Sequence, residues 1–205
     1  MPSRRTVRRL SVVALAGLAV AIPLGRAWAL QWGATDDDLD AALPGDEFIP
    51  DPEVVATRGI TIDAPASEVW AWLVQIGQDR GGFYSYDWLE NLIGLNIHSA
   101  DQIEERWQSL APGDPVRLGS AVAMDAAVVD PGHTLVLVAP EQAFTWTFAL
   151  LPGRDRTTRL VVRERFARLG WWSRPVNEAI ATASAVMTRA MLRGIRDRAE
   201  TTTAR

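Results

Sequence analysis

His98 and His133 are the only histidines in a chain without cysteine, so few of the usual chemistries are open to it. A serine–histidine–acid triad needs a positioned imidazole. His133 follows Asp130-Pro131-Gly132, a turn in which a solvated polar residue is expected. His98 stands beside a helix cap in His98-Ser99-Ala100-Asp101, with no nucleophile elbow or oxyanion loop near it. Two separated histidines supply too few ligands for zinc, and thiolate metal sites, disulfides and cysteine nucleophiles are excluded. Asp79-Arg80-Gly81-Gly82 lacks the spacing of a phosphate cradle or a dinucleotide fingerprint. No catalytic residue, metal or cofactor is therefore assigned. All 21 basic residues are arginine, and 25 acids bring the net charge to −4, which argues against a nucleic-acid partner.

Two charged residues stand out. Glu164 lies on the apolar face of a strand, where an isolated carboxylate is costly unless an arginine satisfies it or water reaches it. Arg80 sits in a tight glycine-flanked loop. The sequence suggests that it pairs with Asp87 or Glu90; alternatively it holds an anionic ligand group, with Tyr84 and Tyr86 beside it.

The elements that must position these residues follow from periodicity. Val54–Asp63 alternates as a strand, with Ile60 and Ile62 on one face and Thr57, Thr61 and Asp63 on the other. Val69, Trp72, Leu73 and Ile76 have helical spacing after Pro65, and Gly77 ends that helix. A short helix is predicted from Tyr86 to Ile93. A third starts at Ser99, whose Ser99-x-x-Gln102 has capping-box form. Strands are predicted at 115–119, 121–129, 134–139, 143–151 and 156–168, joined by short turns. In the last of these, Leu160, Val162, Glu164 and Phe166 face one way and Arg159, Arg163 and Arg165 the other. A long helix then runs from Ser173 to about residue 199, with Val176, Ile180, Ala183, Met187, Met191 and Ile195 as its core stripe. Antiparallel neighbours with short connections give an α+β domain.

The front of the chain is different. Residues 1–34 carry five arginines and no acid, and Leu10–Gly25 is an uncharged apolar run. The run is slightly short for a bilayer, but Ala27–Trp32 extends it if Arg26 snorkels. It reads as a retained N-terminal transmembrane anchor, or as a cleaved signal peptide ending at Ala27-Trp28-Ala29. Either reading puts the body outside the cytoplasm, on the cell membrane or secreted. Residues 35–53 carry eight acids, no arginine and several prolines, and read as a solvated spacer. The folded domain is expected over 54–200 and a disordered tail over 201–205.

Gln75-Ile-Gly-Gln-Asp-Arg-Gly-Gly-Phe-Tyr-Ser-Tyr-Asp-Trp-Leu-Glu-Asn91 resembles one branch of the SRPBCC superfamily, the START and polyketide-cyclase-like proteins. Trp32-Gly-Ala-Thr35, Leu43-Pro-Gly-Asp46, Trp107-Gln108 and Thr158-Arg-Leu-Val-Val-Arg163 carry the same resemblance. It implies a helix-grip fold, a curved antiparallel sheet of about six strands wrapped around the C-terminal helix and an apolar cavity. Met124, Phe144, Trp146, Phe148, Val162, Glu164, Phe166, Met187 and Met191 are the expected cavity lining, with Arg80 and Tyr84 at its mouth. The expected function is binding of a hydrophobic small molecule or lipid. Two alternatives stand beside it. One is a cyclase, dehydratase or hydrolase using Glu164 or His98 as general acid–base; the other is a cell-envelope interaction domain without a ligand.

Overall fold

Alternation becomes six strands in the computed structural model, which describes residues 23–92, 94–120 and 122–203. They are β1 (Val54–Ile62), β2 (Pro115–Gly119), β3 (Val122–Asp130), β4 (Thr134–Val138), β5 (Phe144–Pro152) and β6 (Thr158–Phe166). The helices are α1 (23–31), α2 (Asp36–Asp40), α3 (Ala66–Leu73), α4 (Asp87–Leu92) and α5 (Ser173–Thr203). The strands form one sheet in the order β1-β6-β5-β4-β3-β2, antiparallel throughout. Each strand from β2 onward pairs with its successor, and β1 closes the far edge against β6. A long helix against one face of such a sheet is the helix-grip arrangement.

Register fixes the two faces. Leu160, Val162, Glu164 and Phe166 of β6 lie opposite Leu150, Phe148, Trp146 and Phe144 of β5. On the other side they lie opposite Ile60, Arg58, Ala56 and Val54 of β1. Residues directly opposite share a face, and this is the inner face. The core gathers there, with Ile62, Phe148, Leu160 and Val162 against Leu192, Ile195 and Ala199 of α5 and Leu73 of α3.

The outer face belongs to the segment expected as a spacer. Arg159 pairs with Asp38, and Arg163 and Arg165 both pair with Asp46. Arg163 also donates to the carbonyls of Asp38 and Ala41, and Arg165 to that of Ile49. Thr35 and Asp38 close a capping box that starts α2. Burial pushes the Asp38 carboxyl up, but bonds from Arg159 and Thr35 outweigh it and hold the group below its usual range. Residues 35–50 are thus a folded strap, whose Asp38 and Asp46 pair with the three arginines on the outer face of β6. The folded body therefore starts upstream of residue 54.

Other expectations also change. Ser99 caps no helix: its N–H and hydroxyl both donate to Asp87. Residues 99–110 carry only a 3-10 turn at Glu105–Trp107. At the C-terminus α5 continues through the expected tail to Thr203, whose hydroxyl donates to Glu68. The stripe of α5 is rotated. Met191 and Ile195 are buried, but Val176, Ile180 and Ala183 are exposed, and Asn177, Ala181, Ala185 and Thr188 are buried in their place. The apolar run Leu10–Gly25 lies mostly outside the described residues. Among the described residues no helix is long and apolar enough to cross a membrane.

Candidate ligand-binding site

Between the sheet and α5 lies a cavity of about 610 Å³. Its sheet wall is Phe144 and Trp146 of β5 with Glu164 and Phe166 of β6. Its helix wall is Ile180, Ala183, Ser184, Met187, Thr188 and Met191 of α5. The third side is Phe83, Ser85, Leu89 and Glu90 around α4, with Leu95 and Leu118. Ile180 is 50% exposed and still lines the space, so the cavity opens along the α4–α5 side. This explains the rotated stripe: Ile180, Ala183 and Met187 face the cavity, while Asn177, Ala181 and Ala185 are buried.

The polar floor is built around Arg58, which is 0% exposed. β1 places it on the inner face, diagonal to Glu164, and the two form an ion pair at 3.0 Å. Arg58 also donates to the Ala29 carbonyl of α1 and the Ala181 carbonyl of α5. Glu164 accepts from Ser184 and Thr188. The carboxylate is thus fully engaged, and of the two expectations, an arginine or water, the arginine is found, on the neighbouring strand. A base with both oxygens held this way is poorly placed to take a substrate proton.

Six of the expected lining residues reach the cavity wall: Phe144, Trp146, Glu164, Phe166, Met187 and Met191. Met124, Phe148 and Val162 do not; they are fully buried core. Tyr84 is also structural. Its hydroxyl donates to the Trp72 carbonyl and accepts from Gln75, and burial pushes its phenol up to about 12. Gln75 in turn bonds Gln102, Glu104 and Gln108, so this motif fastens α3 to the 99–110 segment. Tyr84 takes a positive φ and its carbonyl rests against Gly194 of α5, where a Cβ would clash with backbone.

Arg80 is not paired with Asp87 or Glu90. Its guanidinium donates to the carbonyls of Val74 and Trp107, and desolvation lowers its pKa against the pull of Asp114 and Tyr84. Asp87 is taken by Ser99, and Glu90 by the hydroxyl of Ser85. Arg80 thus ties the end of α3 to the 3-10 turn at Glu105–Trp107. His98 and His133 are both exposed and outside the cavity lining. Among the described residues no three of His, Asp and Glu lie together as a metal site requires.

Sequence reasoning missed Glu90, Ser85, Leu89 and Ile180 as cavity residues. Only Ile180 left a signal, as an apolar position in a helix whose sheet-facing partners are alanine, serine and threonine.

No protein-family model and no curated protein matches the chain. Solved structures similar to it include a Polyketide_cyc-like protein from Corynebacterium glutamicum, at 14% identity and TM-score 0.45, covering 76% of this chain and 96% of that one. A protein from Mycobacterium smegmatis is similar at 15% identity and TM-score 0.47, covering 75% and 94%. A protein from Mesorhizobium loti is similar at 16% identity and TM-score 0.45, covering 73% and 98%. The architecture itself stands on strand order and register.

Proposed function

We propose that this protein binds a hydrophobic small molecule or lipid in the cavity between its sheet and α5. The observation that carries the reading is the cavity itself: about 610 Å³, walled by aromatic and aliphatic side chains with a few polar groups. That is the size and character of a small-molecule site. Two methionines on one wall suit an adaptable fit. The enzymatic alternative loses support because Glu164 is locked by Arg58 and both histidines lie elsewhere. Native mass spectrometry of the full-length protein, purified in mild detergent, tests the reading. A co-purifying apolar molecule, or uptake of fluorene added at micromolar concentration, is expected. No uptake of any apolar compound would overturn it.

We further propose that the body is tethered to a membrane by Leu10–Gly25, with the mouth end close to the lipid. Three features support this. Arg26 pairs with Glu178, Leu30 packs against Ala181, and Trp32 lies under Arg189 and Arg193. α1 therefore runs in the same direction as α5, and the chain enters the body at the N-terminal end of that helix. At that end Leu169, Trp171 and Trp172 are exposed between Arg168 and Arg174, Trp171 to 93%. Tryptophan flanked by arginine suits a bilayer interface.

A further inference from the structure

Arg189 and Arg193 lie one turn apart on α5 and so share one side of it. Both are stacked on tryptophan. The Arg189 guanidinium lies 5.8 Å from the ring centre of Trp28 and 5.2 Å from that of Trp32, and the Arg193 guanidinium 5.5 Å from that of Trp32. Stacking occupies the face of a guanidinium and leaves its in-plane N–H groups to donate. Among the described residues neither arginine forms an ion pair. Arg189 buries its Nε but not its terminal nitrogens, and Arg193 is exposed. The two helices have no acid to spare for them. α1 carries none, and α5 has none between Glu178 and Asp197, which are paired with Arg26 and Arg196.

The surface beside these arginines is apolar. Between Glu178 and Arg189 the exposed residues of α5 are Ala179, Ile180, Thr182, Ala183 and Val186, about 16 Å of helix without a charge. On α1, Leu24 and Trp28 are exposed. A second copy docking by this face would set arginine against arginine, with no free acid on either helix to meet it. A bilayer surface matches both parts, with hydrocarbon for the apolar residues and phosphate for the guanidinium groups. The spacing along the chain agrees. At helical rise Trp28 and Trp32 are about 5 and 10 Å from Gly25, and each headgroup layer is about 5–8 Å deep.

We infer that Arg189 and Arg193, stacked on Trp28 and Trp32, form a binding site for the phosphate of an anionic lipid headgroup. This rests on the tether reading above. Two guanidinium forks one turn apart can share one phosphate. Arg189 is about 24 Å along α5 from Ser173, so this site and the tryptophan end both reach the lipid only if α5 lies along the bilayer surface. Ile180 belongs both to this face and to the cavity wall, so the mouth then opens toward the lipid.

Energy transfer from tryptophan to dansyl-labelled phosphatidylglycerol and phosphatidylcholine, in vesicles holding the full-length protein, tests this. The parent should prefer phosphatidylglycerol. Arg193→Gln, at an exposed position, should cut that preference roughly fivefold, and Arg189→Gln/Arg193→Gln further, the scale of one basic residue at an anionic surface for each. Arg189→Lys/Arg193→Lys keeps the charge without the planar fork and should fall between the parent and the double glutamine variant. A lysine variant equal to the parent would reduce the effect to charge and overturn the site. Unchanged preference in the glutamine variants refutes the site, and the tether reading survives. Parent protein that enters neither kind of vesicle overturns the tether reading and the site together. Loss of the preference in excess inorganic phosphate, at constant ionic strength, would assign free phosphate and overturn the headgroup. A dimer in detergent that Val186→Arg splits would give this face to a second copy and overturn the proposal.

Discussion

Replacing Arg58 by methionine removes the centre of the polar floor without leaving a hole. The side chain is 0% exposed and meets Glu164 at 3.0 Å, with further bonds to Ala29 and Ala181 at 2.8 and 2.6 Å. In the variant Glu164 keeps only the Ser184 and Thr188 hydroxyls. Breaking a buried pair from one side costs roughly 3–5 kcal/mol, because a charge is left uncompensated. For a body of this size, each kcal/mol lowers Tm by about 2–4 °C, so a drop of roughly 6–20 °C is expected. Arg58→Met/Glu164→Met removes both charges, and most of the loss should return. What remains is the Ala29 carbonyl without its donor, worth about 1–3 kcal/mol; Ala181 keeps the Ser184 hydroxyl. Circular dichroism melts of the full-length protein in detergent measure all three. A single variant within about 3 °C of the parent, or a double variant no more stable than the single, refutes the reasoning.

Asp38→Asn should lower stability at neutral pH by roughly 1.5–3 kcal/mol, the range for hydrogen bonds to a charged group, since it weakens the bonds from Arg159 and Thr35. The folded carboxyl titrates below its unfolded value, so the parent holds this contribution above the unfolded value and loses it as pH falls through the folded one. The variant's melting curve should flatten over that acid window, and an unchanged slope would count against the strap. Trp171→Phe/Trp172→Phe should remove part of the tryptophan quenching seen when the full-length protein is placed in vesicles of brominated phosphatidylcholine. Equal quenching in both proteins would remove the lipid-facing assignment of this end.

Much of the sheet was readable because a two-residue period leaves little freedom. Once Leu160, Val162 and Phe166 face inward, Arg159, Arg163 and Arg165 must face outward, and all six strands lie within two residues of their expected bounds. What covers the outer arginines was not readable from the acidic segment alone. Eight acids without a base read as a solvated run until three guanidinium groups are placed opposite them. Arg58 left a signal that was available: it alternates with Ala56, Ile60 and Ile62, so a charge stood on the apolar face of β1 just as Glu164 did on β6. Two opposite charges on matching faces of neighbouring strands are a pair in waiting. The orientation of α5 was hidden for another reason. Helical periodicity says which residues share a face, but not whether that face meets a sheet or a cavity. Glu90 lay beyond reach, because its place depends on how α4 packs, and six residues carry too little pattern to settle that.

The pair Arg58–Glu164 joins these points into one physical account of why a cavity can persist. An apolar space of this size would be expected to shrink by letting α5 settle onto the sheet, since close packing is the ordinary state of a core. Val176, Ile180, Ala183 and Met187 would supply the buried surface for it. Such a movement would pull Ser184 and Thr188 off Glu164 and the Ala181 carbonyl off Arg58, leaving both charges short of partners in a dry interior. A buried ion pair adds little net stability compared with apolar residues of similar volume, yet it punishes displacement strongly. Its contribution here is positional. It holds α5 at a fixed height over β1 and β6, ties in α1 through Ala29, and keeps the first half of α5 facing open space. The double substitution Arg58→Met/Glu164→Met therefore separates stability from shape. It should melt above the single Arg58→Met variant while losing affinity for apolar probes, because nothing then prevents α5 from closing the cavity. Unchanged probe affinity in that variant would show that packing alone holds the space open.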